Sequence, residues 1–159
     1  MAEDRWLDDT EQRAWRALLV VVNRGLPGLE RTLKRHDLLV VHYSMLVALS
    51  EAPGRSLRLT DLAEAANVSP SRLSHRLRLL IERGDVAIES VEGDARGKTA
   101  VLTETGHERL IEVAPHHVED VRRLVFDHLD EDETACLAAA LGKVADVLCR
   151  RDGTTTDVG

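Results

Sequence analysis

The sequence predicts a mainly α-helical chain with one small β-hairpin, and three observations carry that expectation. Apolar residues recur at steps of three and four along most of the 159 residues, as they do in helices with one buried face. The period changes to alternation only in "DVAIESVEGDARGKTAVLT", Asp85 to Thr103. Aromatic residues make up 3% of a chain that is 43% hydrophobic, so Leu, Val, Ala and Ile must build the core, which favours helix packed on helix.

The first helix is expected from Asp9 to about Arg35, with Trp15, Leu18, Val22, Leu26, Leu29 and Leu33 on one face and Asp9 with Gln12 as a capping box. "GLPG", Gly25 to Gly28, interrupts it, because Pro27 lacks a backbone donor and clashes with the preceding turn; a kink, or two helices end to end, is expected. A short helix from about Tyr43 to Glu51 is stopped by Pro53 and Gly54. Thr60 reads as the N-cap of an Ala-rich helix ending near Asn67. Ser69 reads as the next N-cap, with Pro70 at the first helical position, where its missing N–H costs nothing. Two short helices on a tight turn make a helix-turn-helix candidate.

In the hairpin that follows Gly84, Val86 and Ile88 share one side, and the tip is Gly-rich and polar. From Thr103 helix resumes with the stripe Leu110, Ala114, Val118, Val121 and Val125, bent at Pro115. Asp130 and Glu133 cap a last helix in which Leu137, Leu141, Val144 and Leu148 keep heptad-like spacing. The expected organisation is therefore a winged helix-turn-helix lobe over residues 36–102, helical dimerisation arms over 1–35 and 103–150, and a disordered tail over 151–159. The arms carry more apolar surface than so small a lobe can cover, and the simplest partner is a second copy of the chain.

A formal net charge of −7 argues against coating nucleic acid through bulk charge, yet leaves room for a local basic face. The start, "MAEDRWLDDTEQRAW", is acidic where a signal peptide would be basic and then apolar, and no apolar run approaches about 20 residues. A cytoplasmic protein with no membrane partner is expected. Cys136 and Cys149 fall in one helix, roughly 20 Å apart at 1.5 Å per residue, and cannot bridge within it. They read as small buried or half-buried thiols, with a redox switch between subunits as the alternative.

The basic face lies in "NVSPSRLSHRLRLLIERGDV", Asn67 to Val86. On a helical wheel Leu73, Leu77, Leu80 and Ile81 fall together and face the core, while Ser71, Arg72, His75 and Arg78 lie opposite, flanked by Ser74 and Arg76. Four arginines, Arg72, Arg76, Arg78 and Arg83, against Glu82 leave a formal +3 between Ser69 and Arg83. Hydroxyls near a helix N-terminus suit phosphate, and guanidinium groups suit base edges, guanine above all. A solvated polar face is the alternative, but the helix-turn-helix before it and the basic hairpin tip after it favour nucleic acid. In that tip, "EGDARGK", Arg96 and Lys98 flank Gly97 where they suit the minor groove and backbone, and Asp94 suits an ion pair that orients Arg96.

Over about Glu11 to Arg150, this element order, together with "LRLTDLAEAANVSPSRLSHRLRLLIERGDV", "DARG" and "VLTETG", resembles the MarR family of bacterial transcriptional regulators. The resemblance implies an obligate homodimer held by the first and last helices, acting as a repressor on a pseudo-palindromic operator in double-stranded DNA. It implies recognition-helix roles for Ser69, Ser71, Arg72, Ser74, His75, Arg76 and Arg78, a wing role for Arg96, and the family's aspartate position for Asp94. Ala95 and "GLPG" depart from the family pattern. Similar members often release DNA when a small phenolic or aromatic acid binds between arms and lobe, which makes Trp15, Arg16, His42, Met45 and His75 candidate lining residues. Each has a stronger structural reading: Trp15 lies on the apolar stripe and reads first as core or interface packing.

Two rival readings keep the fold. His42, His107, His116, His117 and His128, with Glu112 and Asp120 nearby, suggest a metal-responsive variant, although no tight ligand motif appears. A winged helix that binds protein in place of DNA is the other. An enzyme is not expected: there is no Gly-rich phosphate loop, nucleophile set or placeable carboxylate pair. No cofactor is expected.

Overall fold

The computed structural model describes residues 5–91 and 94–153. Helices α1 (Asp9–Val20) and α2 (Leu26–Arg35) are joined by a π turn, Val21–Gly25, into one helical run. The Leu26 amide donates to the carbonyl of Val21, five residues back, so the wider turn absorbs the donor that Pro27 lacks and the helix does not stop at "GLPG". The capping box sits one residue before the expected position: Asp8 accepts from the Thr10 and Glu11 amides, and Glu11 accepts from the Asp8 amide.

Next come α3 (Val40–Glu51), β1 (Ser56–Arg58), α4 (Leu59–Ala65), α5 (Pro70–Glu82), β2 (Val86–Val91), β3 (Asp94–Leu102), α6 (Glu104–Leu124) and α7 (Glu131–Gly153). α3 starts three residues before Tyr43, because Nδ1 of His42 reaches back 3.3 Å to accept the Leu39 amide at the helix start. Strand β1 was not foreseen; at three residues it is too short to display a period. It pairs antiparallel with β3 through Ser56 and Val101, giving the sheet order β1-β3-β2. Because β1 runs straight into α4, Thr60 falls inside the first turn, donating to Asp61, and Arg58 takes the N-cap position in its place.

The chain reverses at left-handed residues after α2 (Asp37, φ 57), α4 (Asn67, φ 53) and α5 (Gly84, φ 74). At each, the left-handed residue and the next donate back to the helix, as Asn67 does to Glu64 and Val68 to Ala63. The core behind these turns is aliphatic, with Leu46, Leu49, Leu62, Leu73, Leu80, Val86, Ala100 and Val113 buried. Ile81, expected beside the α5 leucines, is 40% exposed, since the lobe covers only the arc from Leu73 to Leu80. Val118 is likewise outside the core, whereas Val113, absent from the expected stripe, is inside it. α6 passes through Pro115 as a single helix and ends at Leu124, before Val125.

The arms lie differently. α2 packs along α6: Thr32 donates to Asp120, His36 stacks on His116 with ring centroids 5.6 Å apart, and Glu112 lies 3.4 Å from His36. No residue of α1 is buried, and Trp15, Leu18, Val22, Leu141, Val144 and Leu148 are all exposed in the single chain. Asp130 and Glu133 form the expected reciprocal cap of α7. Cys136 and Cys149 are exposed, contrary to the buried or half-buried placement expected of small thiols, on a helix whose Leu141, Val144, Val147 and Leu148 are exposed as well. α7 continues to Gly153; residues 154–159 of the expected tail lie outside the described residues. No described helix is long and apolar enough to cross a membrane.

Candidate nucleic-acid interface

The turn at Asn67 and the buried Leu73, Leu77 and Leu80 fix one side of α5 to the lobe. The other side, with Ser69, Ser71, Arg72, Ser74, His75, Arg76 and Arg78, is exposed along its whole length. Ser69 holds the N-cap position before Pro70, yet its hydroxyl makes no cap bond and lies 3.2 Å from the hydroxyl of Ser71. The first intrahelical bond of this turn is the Leu73 amide to the Ser69 carbonyl, so the amides of Ser71 and Arg72 open outward at the positive end of the helix dipole. That end, ringed by hydroxyls and Arg72, suits a phosphate oxygen.

The arginines divide by partner. Arg72 forms no ion pair among the described residues, and Arg78 is only loosely paired with Glu82 at 3.7 Å, both well exposed. Arg83, which contributed to the local charge in sequence, is not on this face: it donates to the Asp37 carbonyl at 2.6 Å and ties the end of α5 to the end of α2. Beneath α5, His42 is buried, and burial, then Arg76 and Arg83, hold its pKa below the ordinary 6.5. A neutral imidazole thus lies under a cationic face.

The hairpin stands beside this face. β2 pairs with β3 from Val86 opposite Leu102 to Ser90 opposite Lys98, then the register jumps so that Val91 faces Asp94. Lys98 is exposed on β3. The side chains of Asp94 and Arg96 lie outside the described residues.

Residues expected to line an effector site are not brought together. Met45 is wholly buried and His42 nearly so, Trp15 and Arg16 stand on exposed α1, and His75 is on the outer face of α5. Of the five, only His75 borders a described cavity, a groove of about 540 Å³ that also touches Arg72 and Arg76. A second cavity of about 520 Å³ opens between α3, β1, α4 and α6, with Tyr43 and His117 at its wall. Sequence reasoning missed Tyr43 and weighed His117 only as a metal ligand; nothing in the spacing of two residues 74 positions apart reveals a ring contact of 4.3 Å. Among the described residues no three His, Cys, Asp or Glu side chains gather as a metal site, and Glu112 and His116 both turn to His36.

A short helix, a tight turn, an anchored second helix with an open basic face, and an adjoining hairpin define a winged helix-turn-helix protein. A model of the MarR family matches residues 36–97. The structure is similar to AbsC, a MarR family transcriptional regulator from Streptomyces coelicolor, at 44% identity over 91% of this chain and 97% of that one, with a TM-score of 0.85. It is similar also to Sco3205, a MarR family regulator from the same organism solved in complex with DNA, at 39% identity over 93% of each chain, with a TM-score of 0.87. A mutant MarR from E. coli in complex with operator DNA shares the fold at 22% identity over 87% of this chain and 99% of that one, with a TM-score of 0.70. No match was found among curated proteins. The chain belongs to the MarR family of transcriptional regulators.

Proposed function

We propose that this protein is a cytoplasmic transcriptional repressor that binds a pseudo-palindromic operator in double-stranded DNA as a homodimer. The observation that carries the reading is the outer face of α5, where Ser69, Ser71, Arg72, Ser74, His75, Arg76 and Arg78 are exposed around an open helix N-terminus. In the major groove Arg72 and Arg76 read base edges, while the hydroxyls and amides at the helix start hold phosphate. Lys98 follows the backbone from the hairpin, with Arg96 entering the minor groove and Asp94 orienting it. The DNA complex of Sco3205, 39% identical, supports this use of the fold. The reading includes no catalytic step.

Dimerisation follows from the arms. Trp15 and Leu18 on α1 and Leu141, Val144 and Leu148 on α7 expose about half of their surface each, and a second chain is the partner that covers such stripes on both ends at once. A small aromatic effector that releases DNA belongs in this reading, with the cavity beside Tyr43 and His117 as its place.

A footprint on the DNA upstream of the protein's own gene tests the assignment. Two protected half-sites about one helical turn apart, roughly 34–36 Å, are expected, and Arg72→Ala should lose them. Protection that is absent, or unchanged in the variant, overturns the role of Arg72. A steep fall of log affinity with log salt separates DNA binding from a protein-binding winged helix.

A further inference from the structure

Three elements meet at Asp85. Its amide donates to the Leu80 carbonyl at 2.9 Å and closes the end of α5, while Val86 beside it opens β2 opposite Leu102. α6 arrives on the same residue: the Thr103 amide donates to the Asp85 carbonyl, Gly106 leaves no room there for a Cβ, and Arg109 meets the carboxylate at 2.9 Å. Thr103, Gly106 and Arg109 follow one another at steps of three, so they share one face of the helix.

An ion pair is a demanding way to hold that contact. Asp85 is wholly buried, and its Oδ2 has no hydrogen-bond partner among the described residues. Apolar residues of similar volume often fill such a place at equal or better stability, so stability alone does not account for the pair. Direction does. Leu110 and Val113 bury apolar surface on the same helix, but apolar attraction has no preferred angle and lets a helix slide or turn. The Thr103 bond fixes a point about which α6 can pivot. Arg109, six residues on and about 9 Å along the axis, fixes the line.

We propose that Asp85 and Arg109 are positioning residues for DNA recognition: their pair sets the angle of α5 against the arm, and with it the half-site spacing that the protein accepts. The inference rests on the operator-binding homodimer proposed above. α6 leads on to α7 with its exposed Val144 and Leu148, so a small rotation at Asp85 becomes a displacement of one α5 relative to the α5 of the other chain. One base pair of altered spacing moves a half-site by about 3.4 Å and roughly a tenth of a turn. A fixed angle rejects that change, and a loose one accommodates it.

The test uses the full chain with duplexes carrying the footprinted operator, the same half-sites moved closer or apart by one base pair, and a scrambled sequence, with affinities read by fluorescence anisotropy. Wild type should prefer the native spacing by at least tenfold. The double variant Asp85→Leu with Arg109→Leu keeps the net charge and leaves no buried charge unpaired; it should fold, as its melting curve verifies, yet prefer the native spacing by less than threefold. Its affinity for the scrambled duplex should stay within threefold of wild type, because the outer face of α5 is untouched. If that variant does not fold, Asp85→Asn with Arg109→Met, closer in shape to the native pair, carries the test at the same threshold. A folded variant that keeps a preference of threefold or more overturns the proposal, and the pair then serves stability alone. Wild type that binds the operator specifically but accepts all three spacings equally overturns this inference and leaves the DNA reading standing. Wild type that binds operator and scrambled duplex alike overturns both.

Discussion

Nε of Arg109 on α6 lies 2.9 Å from Oδ1 of Asp85, a wholly buried carboxylate at the point where α5 passes into the hairpin. The start of α6 grips the same junction through backbone and hydroxyl: the Thr103 amide donates to the Asp85 carbonyl at 3.1 Å, and its Oγ1 to that of Gly84 at 2.6 Å. An arm helix is thereby fastened to the root of both α5 and the hairpin. Arg109→Leu leaves the carboxylate buried without its cation and is expected to cost about 3 kcal/mol. Urea denaturation measures this, and adding Asp85→Leu should recover part of the loss, since the pair acts as a unit.

Gly106 marks how closely α6 approaches that root. A Cβ there would lie 2.1 Å from the Asp85 carbonyl oxygen, a backbone atom that cannot turn aside. Gly106→Ala should therefore destabilise the fold by roughly 1–3 kcal/mol despite alanine's better helix propensity. Gly25→Ala, which meets only the flexible end of Leu124 at 2.7 Å, should cost less. Thermal melts of the two variants give the ordering.

Val144 and Leu148 expose 56% and 55% of their surface on α7. If a second chain covers them, replacing each by Glu removes about 1.5–3 kcal/mol of burial apiece and places charge in the seam. The double variant Val144→Glu with Leu148→Glu should run as a monomer in light scattering and lose operator binding with an intact lobe. A variant that stays dimeric would remove α7 from the interface.

Lys98 and Arg72 are expected to differ in kind. Lys98→Ala should weaken binding to operator and random DNA alike and reduce the salt slope by about one, as loss of a phosphate contact does. Arg72→Ala should cost about 1–3 kcal/mol on the operator and relax base preference at one position in each half-site. Fluorescence anisotropy against matched operator and scrambled duplexes distinguishes them.

His42 and His117 both have pKa values held below 6.5, by burial first of all. The unfolded chain takes up these protons first as pH falls, so the stability of the neutral buried rings is fully present above 6.5 and is lost as pH drops below it. Denaturation series from pH 7.5 to 5 should show that decline. His42→Gln, which keeps an acceptor for the Leu39 amide without titrating, should flatten it.

By itself the sequence determined the elements whose cause is local. The 3.6-residue stripe of Leu73, Leu77 and Leu80, the Ser69-Pro70 start, the Asp130–Glu133 cap and the alternation of the hairpin each rest on residues a few positions apart. The basic face of α5 was legible for the same reason, since a helix converts spacing directly into direction. What only the tertiary structure decided was set by contacts across the chain. Strand β1 exists because Ser56 finds Val101, Arg83 leaves the face because Asp37 comes within reach, and Met45 and His42 are core because α3 lies inside the lobe. The left-handed turn at Asp37 escaped notice because glycine, its usual signal, is absent there. The ring pair of Tyr43 and His117, and with it the cavity, belongs to this second kind: periodicity says which way a side chain points along its own helix, and only packing says what it meets there.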